Sequence, residues 1–354
     1  MCVVTFDWEE NDAADKVKHF MEKRKLVWAV VEVTNACNFS CVWCYANTGY
    51  KEKIKREHMP KKRLDELLKT LSDSGVKQIT LSGGEPTVYP HLKYAVKKAK
   101  DMGFVVHMNT NGYLLTDKLA LELKKLGLSQ VQINIDSLKS ETHDRIRGKK
   151  GSFHKALGAL ESARKAGITC VSQTVVTKNN ESEICKIFRL ARKMGLHRCR
   201  VWDMMPSEGC GMESFDIRPT NYIKTLEELA MYAEKTGAKH IEVGEPLFPF
   251  HKTKIPTSHV SCVATAGVLT NISCSGDVYF CVTQRTPMMN IFELKGGNFQ
   301  EAYEKRLNEF TSAFSLPVEC ADCASSERCR AGCHTRREHA GGLDYWCTNK
   351  SQSS

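Results

Sequence analysis

The chain has 354 residues, 42% hydrophobic and 26% charged, which suits one large α/β domain with a smaller appendage and excludes wholesale disorder. No apolar run approaches the roughly eighteen residues needed to cross a bilayer, and Met1-Cys2-Val3-Val4 turns acidic without the basic start of a signal peptide, so a cytoplasmic location is expected. Lys and Arg number 51 against 41 Asp and Glu, a net charge of +10 that would attract anionic partners; no nucleic-acid-binding motif accompanies it, so nucleic acid is not expected among them.

After an N-terminal segment, 1–25, six strand-like runs alternate with amphipathic segments. The runs are Leu26–Thr34, Gln78–Ser82, Phe104–Asn109, Val131–Asp136, Thr169–Thr177 and Cys199–Met204. Apolar residues recur with helical period in Arg63–Ser74, His91–Met102, Asp117–Leu126, Phe153–Ala166 and Glu183–Met194. Such alternation predicts a parallel sheet with helical crossovers, and six units fit either an open barrel or a doubly wound sheet. The densest basic stretch, Lys51–Arg63, reads as a solvated helix or insertion. Another helix is expected around Thr220–Lys239, then a connector holding Pro246, Pro249 and Pro256. From Cys262 the texture changes to short strands around Cys274-Ser275-Gly276-Asp277, a polar helix, and dense cysteines. The expected boundaries are therefore 26–240 for the β/α domain and 241–354 for a cysteine-rich one.

Sixteen cysteines are the unusual feature. Disulfides do not persist in a reducing compartment, so clustered cysteines suggest metal and scattered ones suggest packing. The first cluster, Cys37-Asn38-Phe39-Ser40-Cys41-Val42-Trp43-Cys44, follows the first strand at spacing C-x3-C-x2-C with no histidine nearby. Structural zinc wants four ligands. Three thiolates on a four-iron cube leave one iron open for chemistry, and strand C-termini are where α/β folds build active sites. Cys2, Cys170, Cys185, Cys199, Cys210 and Cys274 mostly sit in strand or helix patterns and read as small buried hydrophobes.

The octet resembles the signature of the radical S-adenosylmethionine (SAM) superfamily, including Trp43 before the third cysteine. About forty residues on, Ser82-Gly83-Gly84-Glu85-Pro86 is similar to the family's GGE motif. Asn109-Thr110-Asn111-Gly112 resembles its TNG turn. Asn134 and Asp136 stand where relatives carry Ser-x-Asp, with Asn134 a departure, and Met204-Met205-Pro206 where relatives often contact adenine. The resemblance implies a partial (β/α)6 TIM-type barrel. It implies a [4Fe-4S] cluster on Cys37, Cys41 and Cys44, and a SAM site formed by Trp43, Gly83, Gly84, Glu85, Asn134 and Met205. In that site Glu85 and the glycine backbone would meet the methionine amino group. An electron from the cluster would then cleave SAM, and the 5′-deoxyadenosyl radical would take a hydrogen atom from the substrate. An electron donor such as ferredoxin or flavodoxin would be a partner. No residue stands out as an acid or base toward the substrate.

Seven further cysteines, Cys262, Cys281, Cys320, Cys323, Cys329, Cys333 and Cys347, resemble the SPASM extension found on many such enzymes. The resemblance implies two auxiliary [4Fe-4S] clusters, the outer on Cys320, Cys323, Cys329 and Cys347 and the inner on Cys262, Cys281 and Cys333. Cys274 or Cys210 could be an eighth ligand, or that position could stay open. Val282 stands where the sulfatase-modifying branch carries an acid. The substrate expected from the resemblance is a peptide or protein side chain. The alternatives are a tetrapyrrole that is decarboxylated or trimmed, or a non-catalytic iron–sulfur or zinc protein.

Overall fold

The protein is described by a computed structural model covering residues 25–46, 55–205, 219–238, 241–243, 262, 264–294, 298–312, 314, 316–323, 332–343 and 347. Strands β1 (Trp28–Thr34), β2 (Gln78–Gly83), β3 (Val105–Asn109), β4 (Leu128–Asn134), β5 (Thr169–Val176), β6 (Arg198–Asp203) and β7 (Ile241–Val243) pair in sequence order, all parallel. Between them run α1 (Lys61–Asp73), α2 (Leu92–Asp101), α3 (Asp117–Lys125), α4 (Ser140–Arg147), α5 (Ser152–Lys165), α6 (Ile184–Lys193) and α7 (Tyr222–Thr236). The first six strands and their crossovers form the open, partial β/α barrel. None of the described helices is long and apolar enough to cross a membrane.

Apart from α4, the crossover helices bury an apolar stripe against the sheet. In α1, Leu64, Leu67, Leu68 and Leu71 are buried at i, i+3, i+4 and i+7. They meet the outward row of the sheet, including Ala29, Val31, Ile79, Leu81, Val106 and Met108, in one continuous core. The other row is buried too and carries polar residues on β2 to β6: Gln78, Thr80, His107, Gln130, Gln132, Gln173 and Arg200. Several of these groups are paired. Trp28 Nε1 donates to Thr80 Oγ1 at 2.9 Å, and Arg200 donates to Gln132 Oε1 and, at 2.8 and 3.1 Å, to Glu242.

Three features depart from the sequence reading. The fourth strand runs Leu128–Asn134, and Asp136 lies beyond it, where its Oδ1 accepts from Val175 N–H at 3.0 Å. Helix α4 was unmarked, because only Ile146 among its eight residues is aliphatic. Strand β7 lies just past the expected boundary at 240, yet it extends the barrel sheet.

The C-terminal region joins the same sheet. Strand β8 (Leu269–Ile272) pairs parallel with β1, and β9 (Asp277–Tyr279) and β10 (Pro287–Asn290) follow antiparallel. Helix α8 (Phe299–Ser312) buries Phe299, Tyr303 and Leu307, and Tyr303 donates to Leu269 O at 2.8 Å. Two ion pairs fasten this region to the barrel. Arg285 grips Glu32 of β1 through two bonds of 2.7 and 3.0 Å. Arg336, on the short helix α9 (His334–Ala340), lies 3.7 Å from Asp203 at the end of β6, both fully buried.

Candidate active site

The cysteine loop leaves β1 at Thr34, whose hydroxyl organises the turn. It donates to Glu57 O at 2.8 Å, accepts from Ala36 N–H at 3.0 Å and stands 2.8 Å from His58 Nδ1. The β2 end then runs alongside. Gly84 N–H donates to Thr34 O and Glu85 N–H to Ala36 O, both at 2.8 Å. This close approach is what the glycines permit: a Cβ on Gly83 would lie 2.1 Å from Thr34 O, and one on Gly84 2.1 Å from Ala36 O. Gly83 also holds φ +119°. The backbone they approach is the protein's own cysteine loop.

Glu85, 1% exposed, locks the β2 and β3 ends together. Its Oε1 accepts from Thr87 N–H (3.0 Å), Thr87 Oγ1 (2.6 Å) and Thr110 Oγ1 (2.6 Å); Oε2 accepts from Asn111 N–H (2.7 Å). Oε2 thus retains acceptor capacity. Asn111 Nδ2 reaches on to Asn38 Oδ1 at 2.8 Å, tying the third strand's turn to the cysteine loop.

Cys37, Cys41, Cys44, Trp43, the Ser82–Glu85 strip and Asn134 line one cleft that opens to solvent. Met205 does not line it; its sulfur stands 4.0 Å from Arg336 Nη1. Arg147 does line it, and the sequence reading missed it. Its guanidinium lies 4.8 Å from the Trp43 ring centroid, 5.7 Å from that of Phe39 and 3.5 Å from Asp136 Oδ2. The available signal was Arg147-Gly148. Gly148, at φ +61°, ends α4 so close to the loop that a Cβ would lie 2.1 Å from Ser40 O.

The donor set fits an iron–sulfur cube. Burial pushes the Cys37 thiol up to about 11 and the Cys41 thiol up to about 12, so thiolates here need a bound cation to hold them. A cube binds each of three thiolates to a different iron and leaves the fourth iron open. The buried Nε1 of Trp43 has no protein partner.

The C-terminal cysteines fall into two groups. Burial pushes the Cys262 thiol up and nearby Cys281 adds to it, while burial pushes Cys320 up with Cys347 and Cys323 adding. Cys333 precedes α9, which stands against the Cys281 loop through Thr283–Thr335 (3.0 Å) and Gln284–Glu338 (2.5 Å). Cys274 lies near Glu32, Glu57 and the Asn35 backbone instead, and burial pushes its thiol up to about 11. Cys329 and Cys210 lie outside the described residues.

A partial β/α barrel with three thiols past its first strand, beside a Gly-Gly-Glu strip, offers a set of thiol donors suited to a metal cluster. The Radical SAM superfamily model matches residues 31–191. The AdoMet-dependent heme synthase of Methanosarcina barkeri is 27% identical, over 91% of this chain and 94% of its own. The mycofactocin maturase MftC of Mycolicibacterium smegmatis is 28% identical, over 89% of this chain and 79% of its own. Among solved structures, SuiB of Streptococcus suis bound to precursor peptide SuiA superposes with a TM-score of 0.74 at 16% identity, covering 99% of this chain and 83% of that one. The chain belongs to the radical SAM superfamily; it is an enzyme whose family implies a [4Fe-4S] cluster and S-adenosylmethionine.

Proposed function

We propose that Cys37, Cys41 and Cys44 hold the catalytic cluster and that the enzyme acts on a side chain of a peptide or protein. The observation that carries the cluster assignment is the convergence of the three thiols, the Gly83–Glu85 strip and Arg147 on one cleft. The bound cluster and SAM supply a one-electron cleavage of the sulfonium carbon–sulfur bond and a 5′-deoxyadenosyl radical able to abstract hydrogen. The chain's residues bind, orient and exclude water. Oε2 of Glu85 and the strip's backbone receive the cofactor's ammonium. Arg147, backed by Asp136, presents positive charge for its carboxylate. The amide of Asn134 hydrogen-bonds its polar atoms, and Trp43 closes the cleft wall with Ile146, Val175 and Met204.

Cys262, Cys281 and Cys333 hold an inner auxiliary cluster and Cys320, Cys323, Cys329 and Cys347 an outer one. The separate neighbourhoods of Cys262–Cys281 and Cys320–Cys323–Cys347 support that division. Electrons come from a ferredoxin or flavodoxin, in a cytoplasm reducing enough to keep the thiols free. The peptide reading draws on the seven-cysteine extension and on a fold shared with a peptide-bound neighbour.

A second reading, a tetrapyrrole substrate, is favoured by the heme synthase that matches nine-tenths of this chain. Anaerobic titration with iron coproporphyrin separates the two. The peptide reading expects no shift of the porphyrin band. Stoichiometric binding, followed by carbon dioxide release on adding reductant and SAM, would establish the tetrapyrrole in its place.

A further inference from the structure

The residues 139–155 include Lys139, Arg145, Arg147, Lys149, Lys150 and Lys155 against only Glu141 and Asp144. Arg147 is buried in the cleft wall; of the rest, Lys139, Arg145, Lys150 and Lys155 are exposed and Lys149 is half-buried. Asp144 is turned onto the start of α5, where its carboxylate accepts from Gly151 N–H (2.6 Å), Ser152 Oγ (2.8 Å) and Phe153 N–H (2.9 Å), so the basic residues still outnumber the acids here. Glu141 is the one exposed acid of α4. Lys149 and Lys150 line a shallow depression beside Gly148, whose contact with Ser40 sets it directly on the cysteine loop.

These lysines are joined to the loop by aromatic rings. Lys149 Nζ and Lys155 Nζ stand 5.3 and 5.7 Å from the centroid of Tyr113. Tyr113 in turn meets Phe39 edge to face, with centroids 5.6 Å apart. Phe39 lies between Cys37 and Cys41. A basic rim therefore surrounds a ring that touches the loop carrying the thiols. None of Tyr113, Lys149, Lys150 and Lys155 lines the cleft itself, so a molecule held on this face reaches the cysteine loop without entering the substrate's space.

We propose that this face docks an acidic one-electron carrier that reduces the catalytic cluster across Tyr113 and Phe39. The inference rests on the cluster assignment made above. In the transfer the carrier loses one electron and the cluster gains one; no bond breaks and no proton moves. Charge complementarity at such a face governs encounter and salt dependence more than ultimate affinity, and suits a partner that must dock, deliver and leave.

The test uses the cluster-loaded enzyme, an acidic flavodoxin as probe, and the triple variant K149E/K150E/K155E. Flavodoxin binding is followed by anaerobic titration, and oxidation of the reduced flavodoxin by stopped flow. The variant is expected to bind and oxidise flavodoxin about tenfold or more weakly and slowly at low ionic strength. The gap should narrow as salt rises, and dithionite should drive 5′-deoxyadenosine formation at the unaltered rate. Equal flavodoxin binding and oxidation in the two proteins would overturn the docking face. A matching loss with dithionite would also overturn it, since the lysines would then serve the cleft, as an acidic peptide substrate would require. If the unaltered enzyme yields no 5′-deoxyadenosine with dithionite, the cluster assignment fails instead.

Discussion

A methyl group on Gly84 would land 2.1 Å from Ala36 O and 2.4 Å from Ala36 C, both backbone atoms that cannot swing aside. Gly84→Ala should push the 83–85 strip off the cysteine loop. The expected cost is about 2 kcal/mol by urea unfolding, with reduced iron uptake on reconstitution; native stability with full iron would contradict the geometry. His107 provides a second residue-scale test. Burial, aided by Arg198 and Arg200, pulls its ring down to about 3, so it stays neutral in the folded protein. Unfolded, it takes up a proton near pH 6.5. Between those values the unfolded chain binds the extra proton, so stability falls as pH drops below about 6.5, by up to about 1.4 kcal/mol per unit from this group. His107→Gln should flatten the stability profile between about pH 6.5 and 5; an unchanged slope would show that the ring is not held neutral. Glu85 marks how far motifs can be read. Gly-Gly-Glu announced the site, but the four donors on its carboxylate come from residues 87, 110 and 111, whose proximity only the β2–β3 pairing creates.

Among the elements, the six β/α units were legible because strand runs and helical stripes alternate cleanly. Helix α4 was not, because its sequence SETHDRIR shows little of the apolar stripe. Tertiary contacts hold it instead: His143 Nδ1 to Ser152 Oγ at 3.0 Å, the Asp144 carboxylate on the start of α5, and Val42 N–H donating to Ile146 O. With α4 unseen, Arg147 and the basic face beyond it were invisible as site features. The junction of β1 with the loop after β9 makes its own prediction. Glu32 is 6% exposed and Arg285 21%, and Arg285 also stacks 4.2 Å from the Tyr279 ring centroid. In a double-mutant cycle of Glu32→Gln and Arg285→Met, the coupling should be about 1.5–3 kcal/mol in urea unfolding. Simple additivity would mean that the pair does not join barrel and extension.

At the scale of the molecule, one sheet, ten-stranded among the described residues, carries both the cysteine loop and the first strands of the C-terminal extension. The change of texture at Cys262 was readable from composition, but β8 pairing back onto β1 is a contact across some 240 residues that no local pattern encodes. That pairing places the cysteine loop after β1 and the first strands of the C-terminal region in one sheet. What Cys37, Cys41, Cys44 and the seven C-terminal cysteines bind decides the cluster assignment. The direct measurement is iron, sulfide and zinc content of anaerobically reconstituted protein, with 5′-deoxyadenosine release on reduction in the presence of SAM, for the unaltered chain and for Cys37→Ala/Cys41→Ala/Cys44→Ala. The unaltered chain should hold about twelve irons and release 5′-deoxyadenosine, and the triple variant should keep about eight irons and release none. Zinc in the C-terminal cysteines of native protein, or cofactor cleavage surviving in the triple variant, would contradict it.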